Sequence, residues 1–338
     1  MKLAVLNPGG NDPELAFPDF AGAPSEKDHA PVNFHGFAAC TGGSFHRRDD
    51  RIPSDTGNVL VLIRRDLKAA RQALIELRRA GKTVLVSFKE TGAAQIASLM
   101  DSSSRLKLVR EICRRADGAL AATSDAVQWL HALGARSVEM IPTPYPLEDE
   151  RWNFSVPLEE RSGILLGTRE WDVPSRNHLA ALLMLRPLAE AMYEPVTVFN
   201  VDGWSGRRRL AGLEYPEGLL RVVEGRRPYP AYLRIMAKHK LVFQLDASAV
   251  PGQVAGDALL CRVPCIGGDG AVERIAFGEW CGHGRTFEQL SDMAARFLEH
   301  PYDSMEMVDR AMERARGQLG YEAVRRRLGD FLRRVGRS

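Results

Sequence analysis

Two arginines and a glycine-led helix carry the residue types in this sequence that are best suited to binding an anion. Arg169 and Arg176 follow a short apolar run, and guanidinium groups form strong paired hydrogen bonds with phosphate or carboxylate oxygens. Gly252 precedes a segment of helical spacing, and glycine lets the backbone approach a ligand closely. The first amides of such a helix, here those of Gln253 and Val254, favour phosphate. The pattern predicts a site for a phosphorylated ligand.

The elements around these residues have the pattern of parallel sheets covered by helices, because short apolar runs alternate with segments of helical period. We expect strands at the amino terminus and at 59–63, 83–88, 118–122, 138–141, 163–166, 196–200, 220–223, 241–245 and 264–266. We expect helices at 66–80, 104–116, from 124 onward, and at 177–191, 229–238, 254–261, 287–298, 304–316 and 321–335. Residues 10–57 are rich in Pro, Gly and Asp and have no assignable period, so they are left unassigned, as either a functional loop or a partly mobile segment.

The length of 338 residues and the hydrophobic content of 45% predict about two domains, each with its own core. Four prolines between 142 and 157 indicate a linker, since proline is excluded from sheet and helix interiors. We therefore predict a Rossmann-like domain over 1–147, a linker over 148–160, and a second Rossmann-like domain over 161–316. A carboxyl-terminal helix over 317–338 can pack back on the first domain.

Charge and cysteine content bear on the compartment and on the partners. There are 46 basic and 43 acidic residues, so net charge gives no argument for nucleic acid, and we expect no nucleic-acid partner. No apolar stretch approaches the roughly 20 residues of a membrane span. The five cysteines are scattered, as in reduced cytoplasmic proteins. We expect a cytoplasmic protein that begins near Met1. Arginine clusters in its last helix leave peripheral contact with the inner membrane face open.

Three segments resemble, in the same order, the GT-B glycosyltransferases of the retaining "glycosyl transferases group 1" type. The first covers Arg115–Ser124 with Leu130, Gly134 and Val138–Pro142, and resembles the close of the family's amino-terminal domain. The second, Leu165–Arg169, resembles the strand and glycine-arginine turn that opens the donor domain. The third, Pro251–Ile266, resembles the glycine loop and acidic helix. The resemblance implies an α/β fold of two doubly wound domains with a cleft between them.

The resemblance also implies which residues contact a nucleotide-sugar donor. Arg169 and Arg176 would pair with the diphosphate and stabilise charge on the leaving group, and Asp257 would accept hydrogen bonds from the ribose hydroxyls. The implied donor-binding residues are Gly9, Gly10, Gly167, Arg169, Arg226, Gly252, Gln253, Val254 and Asp257.

The acceptor side is implied less specifically. Lys89 and Glu90 follow a predicted strand at the expected cleft, and His35 lies in the unassigned amino-terminal segment. We predict acceptor binding by these three residues and a catalytic role for Glu90 beside Arg169 and Arg176. Family members of this type need no metal, no further cofactor and no covalent nucleophile, so none is expected.

One position departs from the family pattern. The family has two glutamates separated by seven residues, and in this chain these positions hold Ala249 and Asp257. Alanine offers no polar atom, so the contact near the donor sugar is missing. Four residues are candidates to replace it: Asp246, Ser248, Asp269 and Glu273.

The functional hypothesis is a hexosyltransferase that uses a nucleoside-diphosphate sugar, with UDP or GDP as the nucleotide. Its acceptor is a glycan, a lipid-linked saccharide or a small molecule. The alternative is a catalytically degenerate member that binds glycan or a partner enzyme, which Ala249 motivates. A nicotinamide dehydrogenase is disfavoured, because no Gly-x-Gly-x-x-Gly follows the first strand.

Overall fold

The structure is a computed structural model that describes residues 1–167 and 173–336. The first part of the chain forms a seven-stranded sheet. Its strands are β1 (Leu3–Leu6), β2 (Leu15–Ala16), β3 (Ser44–His46), β4 (Asn58–Ile63), β5 (Thr83–Phe88), β6 (Gly118–Ala121) and β7 (Val138–Met140). Their spatial order is β2-β3-β1-β4-β5-β6-β7, and all neighbours are parallel except β2 and β3. Five of the six residues in β4 and in β5 are buried, as expected for a parallel sheet covered on both faces.

Helices cover both faces of this sheet. They are α1 (Asn33–Ala39), α2 (Leu67–Arg79), α3 (Ala93–Leu99), α4 (Ser103–Arg115) and α5 (Ser124–Ala132). One face packs against α2 to α5, and α1 lies on the other. The start of α2 is fixed by Asp66, whose Oδ1 accepts a hydrogen bond from the Ala69 amide at 2.9 Å. Its Leu67, Leu74 and Leu77 are spaced to face the sheet, and all three are buried.

The second sheet is fully parallel and has five strands. They are β8 (Ile164–Leu166), β9 (Val196–Asn200), β10 (Leu220–Glu224), β11 (Leu241–Gln244) and β12 (Cys265–Gly267), in the order β10-β9-β8-β11-β12. Its helices are α6 (His178–Met192), α7 (Trp204–Ala211), α8 (Tyr229–Ala237), α9 (Gln253–Cys261), α10 (Phe287–Glu299) and α11 (Pro301–Leu319). A π-helical turn, Glu273–Phe277, follows β12. One face packs on α8, α9 and α11, and the other on α6 and α10.

The last helix, α12 (Tyr321–Val335), lies on the first sheet. Its Leu328 and Phe331 share an apolar cluster with Leu60 and Leu85 of the sheet. A Cβ on Gly118 would lie 2.8 Å from Phe331 Cζ, so the helix approaches β6 closely. The helix therefore completes the core of the first domain although it follows the second domain in sequence.

Two segments cross between the domains side by side. The Tyr145 amide donates to the Leu319 carbonyl at 2.8 Å, and Tyr145 forms a parallel bridge with Gly320. The Tyr321 amide donates to Glu148 Oε2 at 3.2 Å. The two domains are thus connected by two segments that are hydrogen-bonded to each other.

The predicted fold class is confirmed, because a mostly parallel sheet and a fully parallel sheet are each covered by helices on both faces. The sequence did not predict α1, α3, α7, β2 or β3. Residues 34–36, expected in a loop, lie in α1. Six of the seven residues of α1 are buried and no side chain caps it, so tertiary packing rather than a local signal stabilises it.

Candidate functional site

An open cavity of about 520 Å³, a volume that includes open solvent, lies at the carboxyl ends of β8 and β11, which are neighbours at the centre of the second sheet. From β8 the chain builds outward through β9 and β10 on one side, while β11 and β12 extend the sheet on the other. Such a reversal of strand order opens a crevice, and doubly wound sheets bind ligands there.

Gly252 shapes the wall of this cavity at the start of α9. Its φ of 93° is left-handed, and a Cβ there would overlap Glu273 Oε2, so only glycine fits. The helix begins at Gln253, and Gln253 and Val254 both line the cavity. Their amides belong to the first turn, which has no intrahelical acceptors, so this wall is suited to an anion.

Gly167 brings the first turn of α9 close to β8. A Cβ on Gly167 would overlap Val254 Cγ1 and lie 3.1 Å from Val242 Cγ1. Glycine at this position therefore allows the helix start to pack directly against the strand ends, beside the cavity that Gly167 also lines.

Arg176 is the described arginine at the cavity wall. It ends a short 3-10 turn, Pro174–Arg176, and its Nη1 donates to Asp246 Oδ2. Asp246 Oδ1 accepts the Ser248 amide at 2.8 Å, so the carboxylate holds both the arginine and the loop that leads to Gly252. This arrangement aims a cation at the cavity. Arg169, the other predicted arginine, lies outside the described residues.

Asp257 lies one turn into α9 and is only 1% exposed. The Tyr229 hydroxyl donates to its Oδ1, and the pKa of Tyr229 is raised well above its usual range by burial and by the nearby carboxylate. Asp257 lines the cavity as an acceptor that is already oriented by a neighbouring helix. The sequence analysis identified Asp257 as a site residue but not Tyr229. The signal that could have indicated Tyr229 is its position at the start of α8.

Glu273 is a buried carboxylate that reaches the same cavity from the π-helical turn, with 2% exposure. Gln244 Nε2 donates to its Oε1 at 2.9 Å, and no donor among the described residues reaches its Oε2. Burial raises the pKa of Glu273 to about 7. The carboxyl group is therefore close to half ionised at neutral pH. Gln244 was not predicted as a site residue, although a polar residue at a strand end was a usable signal.

The four candidates to replace the missing contact at Ala249 have different surroundings. Asp246 binds Arg176, as described above, and the Ser248 hydroxyl donates to the same aspartate. Asp269 binds Arg274 Nε at 2.6 Å and does not line the cavity. Glu273 is the candidate with a buried, unpartnered oxygen at the cavity.

At the facing edge of the first sheet, Gly9 and Gly10 form the turn after β1. A Cβ on Gly10 would overlap Asn7 Nδ2, so the turn folds tightly over this asparagine. Asn7 Nδ2 donates to Asp12 Oδ2, and Lys89 Nζ lies 3.3 Å from the same oxygen. Lys89, predicted to bind the acceptor, is thus ion-paired next to the glycine turn.

His35 and Glu90, the other predicted acceptor residues, differ in how far they are buried. His35 is 2% exposed, its ring stacks on Phe45 at 3.7 Å, and burial lowers its pKa to about 3. It is therefore a neutral interior residue, and the loop location expected for it is wrong. Glu90 is partly exposed and pairs with Arg64 at 3.2 Å.

The first domain contacts the second domain beside the cavity. Asn33 Nδ2 at the start of α1 donates to Gln253 Oε1 at 2.8 Å. A Cβ on Gly92 would lie 2.7 Å from the Ser248 carbonyl oxygen. Lys89 Nζ lies 5.4 Å from the centroid of Phe34, the residue after Asn33. Asn33 and Gly92 of the first domain therefore contact residues at or next to the cavity, whereas Lys89 does not line it.

Two features lie away from this cavity. Arg226, predicted to lie near the base, is exposed between β10 and α8 and does not line it.

A second cavity, of about 710 Å³, lies between residues 15–31 and Trp152 with Tyr229. Trp152 Nε1 donates to the Gly22 carbonyl at 2.8 Å and closes one side. This cavity could not be placed from the sequence, because residues 10–57 have no assignable period.

Within residues 1–167 and 173–336, no group of three or more His, Cys, Asp or Glu side chains is arranged to hold a metal ion. None of the helices in these residues has the length and apolar character that crossing a bilayer requires.

Comparison of the sequence with protein-family models and with curated proteins finds no match. Solved structures do resemble it. S. aureus TarM, bound to Fondaparinux, alpha-GlcNAc-glycerol and UDP, is 8% identical with a TM-score of 0.61. The match covers 81% of this chain and 55% of TarM, so this chain spans about half the length of that protein.

Two further structures match over nearly their whole length. An alpha-glucosyltransferase in complex with UDP-glucose and DNA containing an abasic site is 8% identical with a TM-score of 0.65, covering 98% of this chain and 99% of that one. An alpha,alpha-trehalose 6-phosphate synthase from Burkholderia multivorans is 11% identical with a TM-score of 0.62, covering 99% and 98%. These are GT-B glycosyltransferases, and the GT-B fold expected from the sequence motifs is confirmed.

Proposed function

We propose that this chain is a glycosyltransferase that moves a hexose from a nucleoside-diphosphate sugar to an acceptor hydroxyl, with retention at the anomeric carbon. The observation that carries the proposal is the cavity at the ends of β8 and β11, where a helix N-terminus, a guanidinium and three carboxylates converge. UDP is the first nucleotide to test, because solved structures of similar fold contain UDP or UDP-glucose. GDP is the second.

The cavity has a separate group for each part of such a donor. The diphosphate suits the first turn of α9 behind Gly252, where backbone amides and the helix dipole favour negative charge. Arg176 adds a cation that Asp246 keeps in place. Asp257, oriented by Tyr229, supplies an acceptor for the ribose hydroxyls.

The reaction requires charge stabilisation more than proton-transfer groups of the protein. The bond between the anomeric carbon and the diphosphate oxygen breaks, and a bond forms between that carbon and the acceptor oxygen. The acceptor proton passes to the departing phosphate. Negative charge grows on that phosphate, where Arg176 and the amides of α9 stabilise it without reorganising. Arg169 keeps the role predicted for it from the sequence.

The acceptor belongs on the first-domain side of the cavity. We assign its binding to Lys89 and Glu90, which lie at the end of β5, and a supporting role to the buried His35 beneath them. The hydrogen bond between Asn33 and Gln253 supports this assignment, because it brings that edge against the donor cavity. The acceptor hydroxyl belongs to a glycan, a lipid-linked saccharide or a small molecule.

A membrane-bound acceptor would favour peripheral contact through the arginines of α12. Several of these arginines already have partners within the chain: Arg334 binds Glu139 at 2.6 Å, and Arg327 Nη2 donates to the Met140 carbonyl. We therefore favour an acceptor in the cytoplasm. Flotation with anionic vesicles at low salt tests this point, since electrostatic adsorption would raise the protein with the vesicles and high salt would reverse it.

Nucleotide binding tests the central proposal. Calorimetry and thermal unfolding are measured with UDP, GDP, ADP and their glucose conjugates, on wild type, Arg176→Ala and Arg310→Ala. Arg310 is an exposed arginine of α11 that does not line the cavity, and it serves as the matched control. A nucleotide at a hundredfold excess over Kd stabilises the folded state by about 2.7 kcal/mol. We expect Arg176→Ala to raise Kd about tenfold or more and Arg310→Ala to leave it unchanged.

Transfer is then measured as nucleotide release that depends on an added acceptor pool, and NMR of the product gives the anomeric configuration. Binding without release from any sugar conjugate would refute the enzymatic proposal. Absence of binding by every nucleotide would replace it with the degenerate, non-catalytic alternative.

A further inference from the structure

Glu273 differs from the other two carboxylates of the cavity in its hydrogen bonding. The carboxylates of Asp246 and Asp257 are held by Arg176 and by the Tyr229 hydroxyl. Glu273 binds Gln244 through Oε1, whereas its Oε2 is buried and has no donor among the described residues. An unsatisfied buried carboxylate oxygen is unfavourable, and in native proteins it points to a missing partner.

Glycines enclose this carboxyl group on several sides. A Cβ on Gly252 or on Gly270 would overlap Oε2, and a Cβ on Gly268 would lie 3.0 Å from Oε1 and 2.6 Å from Gln244 Nε2. Side chains are thus absent from the positions around the glutamate where they would displace it. The backbone leaves room for one carboxyl group at this place.

The turn that carries Glu273 is docked on the loop that carries Ala249. The Ala271 amide donates to the Val250 carbonyl at 3.1 Å, and the Val272 amide donates to the Pro251 carbonyl at 3.0 Å. Glu273 therefore enters the cavity from the element that packs against the Ala249 loop. Glu273 brings a buried carboxylate to the cavity beside this loop, whereas Ala249, at φ 50°, has only a methyl group.

We propose that Glu273 binds a hydroxyl group of the transferred sugar and makes the cavity selective for a nucleotide that carries a sugar. This inference rests on the proposed function and deepens it. A hydroxyl donates to a carboxylate in a charge-assisted hydrogen bond, which is stronger than a neutral one. The partner that Oε2 lacks is then the donor substrate itself.

The distribution of charge favours the sugar over the diphosphate as the partner of Glu273. A carboxylate repels phosphate oxygens, whereas the first turn of α9 and Arg176 attract them. The diphosphate is thus drawn to the Gly252 and Arg176 side, and a neutral polyhydroxyl group fits the side of Glu273.

The test compares binding of UDP alone with binding of UDP-glucose. Calorimetry on wild type and Glu273→Gln gives both Kd values, with GDP and GDP-glucose as the second pair. We expect Glu273→Gln to weaken UDP-glucose about tenfold while UDP changes by less than about twofold. The exposed Glu279→Gln, on the same segment, is the control and leaves both values unchanged.

A second variant addresses the same carboxyl group from the backbone. Gly268→Ala would place a Cβ 3.0 Å from Glu273 Oε1 and 2.6 Å from Gln244 Nε2, so it would displace both side chains without removing the glutamate, and we expect the same selective loss of sugar-conjugate binding. Gly57→Ala, at a glycine with no atom within 4 Å of an added Cβ, is its control. Thermal unfolding of each variant verifies that it is folded.

The outcomes separate this inference from the proposed function. Equal weakening of UDP and UDP-glucose in Glu273→Gln would mean a merely structural role and would overturn the inference alone. Unchanged binding of both would overturn it as well. A wild-type protein that binds neither nucleotide nor sugar conjugate would refute the proposed function, and this inference with it.

Discussion

The buried carboxyl group of Glu273 should make the stability of the protein depend on pH even when no ligand is bound. Burial raises its pKa to about 7 from 4.5, which is a preference for the neutral form in the folded state. Between these two pH values the folded protein holds more protons than the unfolded chain, so the free energy of unfolding falls as pH rises. The full contribution is present below pH 4.5 and is lost once pH exceeds about 7.

The size of the effect follows from the shift in pKa. A difference of one unit is worth about 1.4 kcal/mol, so ionising Glu273 in the folded state costs on the order of 3 kcal/mol. Glu273→Gln keeps the shape and removes the ionisation. We expect it to lose activity yet be more stable than wild type at pH 8, by about 4 °C in Tm at about 1.4 °C for each kcal/mol.

The assay is thermal unfolding from pH 5 to pH 8 of wild type, Glu273→Gln and the exposed Glu279→Gln. Charged and titratable groups face Glu273 from several elements: Asp246, Arg176, Asp257, Tyr145, Cys265 and Cys281. Burial raises the pKa of Tyr145 and of both thiols, so these three stay neutral in this range. Parallel Tm profiles for wild type and Glu273→Gln would refute the reasoning.

Three further predictions concern packing and orientation. Gly252→Ala should abolish nucleotide binding and lower Tm in thermal unfolding, because its left-handed φ and the filled space around it exclude a Cβ, whereas Gly57→Ala should do neither. Tyr229→Phe should destabilise the protein by about 1.5–3 kcal/mol in urea unfolding, since it removes a hydrogen bond to the buried Asp257; an unchanged midpoint would contradict this. Phe331→Ala should cost about 3–5 kcal/mol by the same measurement, through a cavity between α12 and the first sheet.

The sequence predicted the elements whose signals are local. The helix α12 was placed over its observed residues, because apolar positions recur at helical spacing from Ala323 to Val335. Gly252 predicted where α9 begins, and the predicted helix in turn indicated one wall of the cavity. By contrast α1 begins at Asn33 with φ 53° and is apolar nearly all round, so nothing local distinguishes it from a buried loop.

The candidate site was predictable where one segment forms it and unpredictable where distant segments meet. Asp257 and the amides before it lie on one helix, so their spacing carried the prediction. Glu273 was one of four candidates, and the choice depends on a π-helical turn that docks on the Ala249 loop. Tyr229 and Gln244 reach the site only through the packing of α8 and the sheet, which spacing along the chain does not encode.

The return of α12 to the first sheet has a consequence for synthesis on the ribosome. Leu3, Leu60 and Leu120 face an apolar layer that α1 covers in part and that Leu328 and Phe331 complete, so part of this layer stays uncovered until the second domain has been translated. The first domain therefore cannot close ahead of the second, although chains usually fold from the amino terminus onward. Nascent chains stalled before Tyr321 should be cleaved by protease within the first domain and should bind chaperones there, and release of the last helix should end both. In this chain a helix that is made after the second domain finishes the domain that was started first.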